Sequence, residues 1–222
     1  MVDHTGALTS LHSQKSFFSI SPKDCVVIPV SYELLKSFRS ISKIIKEMEI
    51  CSYEDTPKQS MIEVKTLSPE RWRDAKDLRL QALKTDPIAF GSSFEEEEKL
   101  AEAEWQRRVK NMLFAVSDDK LVGTITYLFN ERVKTKHIAR IFGVYVDPKY
   151  RRHGVGKKLL ENALELIQKN KDVVKVQLMV NPKQLAAVRL YKTMGFEVVG
   201  QVGKEIKVGE EFYDELIMDK ML

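Results

Sequence analysis

The residues best suited to chemistry run from Val144 to Lys158: Val144-Tyr145-Val146-Asp147-Pro148-Lys149-Tyr150-Arg151-Arg152-His153-Gly154-Val155-Gly156-Lys157-Lys158. They read as the end of a strand, a turn with glycines and the start of a helix, an arrangement that suits a phosphate. The first helical turn leaves N–H groups unpaired and carries partial positive charge, while glycines let the main chain approach a pyrophosphate without a Cβ in the way. Arg151, Arg152, Lys157 and Lys158 add charge. The plain alternative is a tight turn with solvated basic residues, and a short glycine pattern alone does not separate the two. Elsewhere, Glu95 to Glu98 follow a loop and could attract a cationic amine, or could form a solvated helix start that suits the dipole. His137 could titrate near neutrality or be an ordinary surface histidine.

Two common phosphate sites do not fit. A P-loop needs a glycine where Arg151 stands and a Ser or Thr where Lys158 stands. A dinucleotide fingerprint needs a third glycine where Leu159 stands, and the preceding strands look antiparallel rather than βαβ. Neither NTP nor NAD is expected. No metal is expected either, since Cys25 and Cys51 are the only cysteines and lack metal-ligand spacing.

These residues need elements to position them. From Met61 the pattern becomes regular: a strand over Ile62 to Leu67, then Ser68-Pro69 as cap and first helical residue of a helix to about Lys84. Asp86-Pro87 stops it, Gly91-Ser92-Ser93 makes a loop, and Phe94 to Lys110 is expected to form one helix. Strands follow over 112–117, 121–129 and 138–146, with Asp118-Asp119-Lys120 as a hairpin turn. Val155, Leu159, Ala163 and Leu166 mark a helix, Val174 to Val180 alternate as a strand, and Leu185 to Met194 form another helix. Strands around Val198 and Leu216 end the chain. The order βααβββαβαββ predicts an α+β domain over 61–222 with a partly antiparallel sheet.

Residues 1–60 read as an N-terminal extension: a polar stretch expected to be disordered, a short strand at 25–30 and a linker at 54–60. Between them, 31–48 carry Leu34, Phe38, Ile41, Ile45 and Met48 at helical spacing, expected to pack on a neighbouring domain. The 222 residues are 43% apolar and 31% charged, as in ordinary globular proteins. A net charge of +4 from 36 basic and 32 acidic residues does not argue for nucleic acid or a membrane surface. The cysteine usage points to a reducing cytoplasm, and no apolar run approaches the roughly 20 residues that span a bilayer.

Arg151-Arg152-His153-Gly154-Val155-Gly156 resembles the signature of the GCN5-related N-acetyltransferases (GNAT): Arg or Gln, two residues, Gly, one residue, Gly or Ala. A second block of that family, a strand and a helix ending in Leu-Tyr and then Gly-Phe, is matched by Val174 to Val180 and Leu190-Tyr191-Lys192-Thr193-Met194-Gly195-Phe196. The resemblance covers about Met61 to Leu222. It implies a mixed, mostly antiparallel central sheet flanked by helices, and transfer of an acetyl group from acetyl-CoA to a primary amine of a small molecule or protein. By the same resemblance, Val144, Tyr145 and Val146 border the pantetheine arm, and Arg151, Arg152, His153, Gly154, Val155, Gly156 and Lys157 hold the pyrophosphate. Tyr191 lies near the thioester sulfur and is expected to protonate the departing thiolate. Where the family commonly has Asn, this chain has Gln184, with Asn181 a turn earlier; both are candidates for contact with coenzyme A. Glu95 is the candidate base. The rival reading is a non-catalytic acyl-CoA sensor or interaction module. No nucleic acid and no membrane are expected as partners, and a homodimer is left open.

Overall fold

The computed structural model describes residues 62–222, and the expected strand, helix and linker within residues 1–60 lie outside it. The described residues 62–222 belong to one compact unit. β1 (Glu63–Lys65) leads into a turn whose Ser68 side chain accepts the Glu70 N–H, with Pro69 next, and α1 (Trp72–Thr85) follows. Ser68 and Pro69 therefore act as a helix start, satisfying one N–H and removing another that would have no partner.

The single helix expected over Phe94–Lys110 is two: α2 (Phe94–Glu97) and α3 (Glu102–Val109). The reason is burial of Glu97. Ser93 and Glu96 form a reciprocal capping box that fixes the start of α2. Glu97 then turns inward to Arg79 and Arg108, and the chain restarts at Ala101 with α3's Trp105 and Val109 packed inside.

β2 (Met112–Ser117), β3 (Lys120–Phe129) and β4 (Ile138–Val146) form an antiparallel meander, and Asp118 and Asp119 take the positive φ that a two-residue hairpin needs. After β4 come α4 (Val155–Gln168), β5 (Lys175–Val180), α5 (Leu185–Thr193), β6 (Glu197–Val208) and β7 (Glu211–Met221). The sheet has seven strands in the order β1-β2-β3-β4-β5-β7-β6, antiparallel throughout except for β4 with β5.

α4 packs its buried Val155, Leu159, Ala163 and Ile167 on one face of the sheet, together with Tyr191 and Phe196. α1 covers the other face at the β2–β3 side through Ala75, Leu78 and Ala82 against Phe114, Val116 and Tyr145. Two cores on either side of one sheet follow from strands such as β2, whose residues are all buried.

Candidate active site

The site begins where two parallel strands part. β4 pairs with β5 only from Ile138–Lys175 to Ile141–Leu178. Beyond that, β4 stays with β3 and β5 stays with β7 as far as Val180–Leu216, so a wedge opens between them. The parting has a local cause. Gly143 and Val144 oppose a single residue of β3, a bulge that bends β4 away from β5. The edge of Phe142–Val146 turned away from β3 has no partner in β5, which leaves main-chain groups for a ligand.

The glycine turn stands at one flank of this wedge. Asp147 accepts the Lys149 N–H and is itself held by Gln81 Nε2 at 3.1 Å, tying the turn to α1. Gly154 caps α4 with φ +78°, and a Cβ there would meet nothing within 4 Å, so backbone conformation selects glycine. Gly156 answers a different need: its Cβ would stand 3.3 Å from Leu190 and 3.7 Å from Val146, so its lack of a side chain lets α4 close on α5 and β4. α4 has no side-chain cap. Its first N–H groups are therefore available to an anion.

Arg151, Arg152, His153 and Lys157 are exposed around this turn, as the phosphate reading needs. Arg151 is partnered: Nε donates to the Val146 carbonyl at 2.9 Å, and Nη2 reaches Asp86 at 2.5 Å. Lys158 is drawn away from the turn to the Ile62 carbonyl. Tyr145 is buried with its hydroxyl 3.2 Å from Thr85 Oγ1, so it can face the wedge only with its main chain. Val144 and Val146 are half-buried beside the core that holds Tyr191.

Tyr191 is buried at 5% exposure, edge-on to Phe196 with ring centroids 6.0 Å apart, and burial pushes its phenol far up. Of the two amide candidates, Asn181 is the distinctive one. It is 2% exposed, its Oδ1 accepts the Lys183 N–H at 2.8 Å, and its Nδ2 is without a hydrogen-bond partner. A buried amide donor left open at the end of β5 fits a ligand's acceptor atom. Gln184 is the residue before α5, half-buried, with no side-chain cap bond.

On the other side of the sheet, a cleft of about 610 Å³ lies between the 83–96 segment and the β6–β7 hairpin. Phe90, Phe94 and Ile206 give it apolar walls, and Glu95, Glu96 and Glu205 carry carboxylates on its rim. Glu95 and Glu96 are exposed, whereas Glu97 is 3% exposed and belongs to the scaffold. His137 is exposed at the start of β4 and contributes its carbonyl to Val174 and Lys175. Among the described residues no cluster of His, Cys, Asp or Glu could hold a metal ion, and no helix is long and apolar enough to cross a membrane. Sequence reasoning missed the roles of Asp86 and Glu205, and it did not separate Glu97 from the other three glutamates at 95–98. Asp86 was visible only as part of a helix-stopping Asp-Pro pair, and the hairpin's role had no local signal.

Residues 73–196 match the profile of the acetyltransferase (GNAT) family. The chain belongs to the GNAT acetyltransferase family. GNAT relatives include the L-amino acid N-acetyltransferase AaaT of Escherichia coli, 28% identical over 53% of this chain and 75% of that protein. The [ribosomal protein bS18]-alanine N-acetyltransferase of E. coli is 38% identical over 26% of this chain, which spans 38% of that enzyme. A GNAT acetyltransferase from Streptococcus pneumoniae superimposes with a TM-score of 0.66 at 22% identity, over 72% of this chain and 99% of its own. The Salmonella typhimurium protein yncA, solved with its cofactor acetyl-CoA, gives 0.61 at 16% identity, over 73% and 95%. The superpositions show the GNAT fold, and membership of the family makes the chain an acetyl-CoA-dependent N-acetyltransferase.

Proposed function

We propose that the acceptor is the primary amine of a small amino compound or of a protein's first residue, and that residues 61–222 are the catalytic domain. The observation that carries this reading is the wedge between β4 and β5, with a bare helix N-terminus at one flank and Tyr191 packed beside its walls. The names of two relatives, which act on L-amino acids and on the alanine of a ribosomal protein, support the acceptor class. Acetyl-CoA supplies the acyl thioester. Arg151 to Lys157 would hold its pyrophosphate, the main chain of Val144 and Val146 its pantetheine arm, and Asn181 Nδ2 one of its acceptor atoms. The cleft of about 610 Å³ opposite leaves room for an amine, which an acyl-CoA sensor with a closed acceptor site would not need. The low cysteine count supports a cytoplasmic setting.

The chemistry asked of the side chains is modest. Positioning two bound substrates supplies much of the rate. The acceptor amine must attack as a neutral group, and Tyr191, kept a phenol by burial, suits protonation of the departing thiolate.

The reading is tested by thermal unfolding with and without acetyl-CoA, alongside Gly154→Glu. Ligand at one hundred times its dissociation constant should stabilise the parent by about 2.7 kcal/mol. Gly154→Glu should lose this shift, since a side chain at φ +78° is strained and a carboxylate repels phosphate. Thiol release with L-amino acids and with peptides that begin in alanine then identifies the acceptor. A well-folded parent without a shift would sink the placement of the site; a shift without thiol release for any of these amines would sink the acceptor class alone.

A further inference from the structure

An ammonium acceptor must lose a proton before it attacks, and among the described residues Glu215 is a half-buried carboxylate on the face of the sheet opposite Tyr191. β7 runs past β5: their last pair is Val180 with Leu216, so Glu215 is the first residue of β7 beyond the point where β5 stops pairing. Side chains alternate along a strand. Leu216 and Met218 point into the core that contains Tyr191, so Glu215 and Ile217 point to the opposite side of the sheet. On that side Met179 sits opposite Ile217, and Phe142 is exposed on the diverging end of β4.

β6 completes the arrangement. Val202 lies opposite Glu215, and the irregularity between Val202 and Ile206 lifts Glu205 onto the rim of the 610 Å³ cleft. We propose that Glu215 is the carboxylate that takes the proton from the acceptor's ammonium, with Glu205 drawing the cation in from the cleft. This rests on the acetyl-transfer reading above. The proton passes from nitrogen to a Glu215 oxygen, and the nitrogen lone pair then forms a bond to the acetyl carbonyl carbon. As the C–S bond breaks, the new amide nitrogen releases its second proton to solvent, the thiolate takes the Tyr191 proton, the tyrosine regains one from solvent, and Glu215 returns its proton to solvent.

The groups around Glu215 fit this task. Its carboxyl is held above the usual carboxylate range, first by burial and then by the Glu205 charge. Lys183, from the turn after β5, lies over the Tyr213 ring at 4.6 Å, two residues away on the same side of β7. Asp214 is on the other side, accepting the Lys204 N–H and Gln201 Nε2, each at 2.8 Å. A carboxyl with a raised pKa is the better proton acceptor near neutrality. Because the carboxylate is the active form, activity should rise as pH increases through that raised value.

The test is the pH dependence of kcat/KM for parent, Glu215→Gln and Glu205→Gln, with an amino acid or alanine-led peptide as acceptor. Glu215→Gln should lower kcat/KM about a hundredfold or more and abolish the acidic limb while keeping the acetyl-CoA thermal shift. Glu205→Gln should move that limb to lower pH, since it removes one of the two causes of the raised value. A Glu215→Gln enzyme with parental rate and an intact acidic limb overturns the proposal. If the parent releases thiol with none of these acceptors, the acceptor class fails instead, and carbon-13 NMR of the side-chain carboxyls decides on Glu215. A midpoint that Glu205→Gln lowers, and that added L-alanine amide perturbs, sustains the proposal; a midpoint that neither moves overturns it.

Discussion

Tyr191 shows how packing can suit a residue to the acid role proposed for it. As sequence it is an aromatic on an amphipathic helix, and the structure does bury it in the core beside Phe196. Burial also fixes its protonation. An ionised phenolate would be desolvated there, so its pKa is raised and the acid form persists through the working pH range. Tyr191→Phe should keep the acetyl-CoA thermal shift and lower kcat by about a hundredfold, the usual scale for losing a positioned acid. The parent's pH–rate profile should show no alkaline limb from this residue below pH of about 10, the ordinary tyrosine value. Loss of the thermal shift in Tyr191→Phe would mean that the ring holds the ligand rather than donating a proton.

Between elements, Glu97 fastens the wall of the 610 Å³ cleft. Its carboxylate accepts from Arg79 Nε and Nη2 at 3.0 and 2.9 Å and from Ser92 Oγ at 2.5 Å, and it lies 3.4 Å from Arg108. These contacts join α1, the 86–93 loop, α2 and α3, so the loop that lines the cleft is held from behind. Burial alone would raise the pKa of Glu97, but the hydrogen bond and charge of Arg79, then Ser92 and Arg108, outweigh it and hold the carboxyl below its usual value. A depressed folded-state pKa contributes stability that is present above the unfolded value and lost as pH falls through the folded one. Glu97→Ala should cost about 3 kcal/mol near pH 7, because it strands a buried Arg79, and the gap from the parent should narrow in acid. Urea unfolding at pH 7 and near pH 3 measures both; an equal gap at the two values would mean that the ion cluster is not its source. Packing at the turn gives a second element-scale expectation. Gly156→Val should push α4 off Leu190 and lower stability by about 1–3 kcal/mol, read by the same unfolding curves.

For the molecule as a whole, 36 basic and 32 acidic residues nearly balance, so binding of a polyanionic ligand depends on a local field rather than on net charge. In the proposed site the exposed Arg151, Arg152 and Lys157 would supply that field at the glycine turn. Their attraction is screened over a Debye length of about 10 Å at 0.1 M salt. Acetyl-CoA affinity measured by calorimetry should therefore weaken several-fold between about 0.05 and 0.5 M salt, while Gly154→Ala, which leaves the charges in place, should weaken with the same slope. Affinity indifferent to salt would place the phosphates away from this turn.

Much of the candidate site's local geometry was legible without coordinates because its signals are local. Gly154 is needed for the conformation of its own backbone, the start of α4 is a property of one strand-to-helix junction, and the periodicity of Val155, Leu159 and Ala163 fixes which face that helix buries. The family signature adds Tyr191 for the same reason, since it closes a single helix before Gly-Phe. What only the tertiary structure decided lies in pairings between distant segments. The parting of β4 from β5 depends on a bulge against β3 and on β7 claiming the end of β5. The four glutamates at 95–98 are alike as sequence, yet Arg79 and Arg108 on two other helices select Glu97 for burial and divide one expected helix into α2 and α3. The charge of Glu205 reaches Glu215 only because a long hairpin folds back on itself with an irregular register. The sequence by itself determined local backbone geometry and which faces are apolar, because those follow from each residue and its neighbours within a turn. Which charges end up buried and paired was decided by long-range contacts, whose energies depend on the whole packed arrangement.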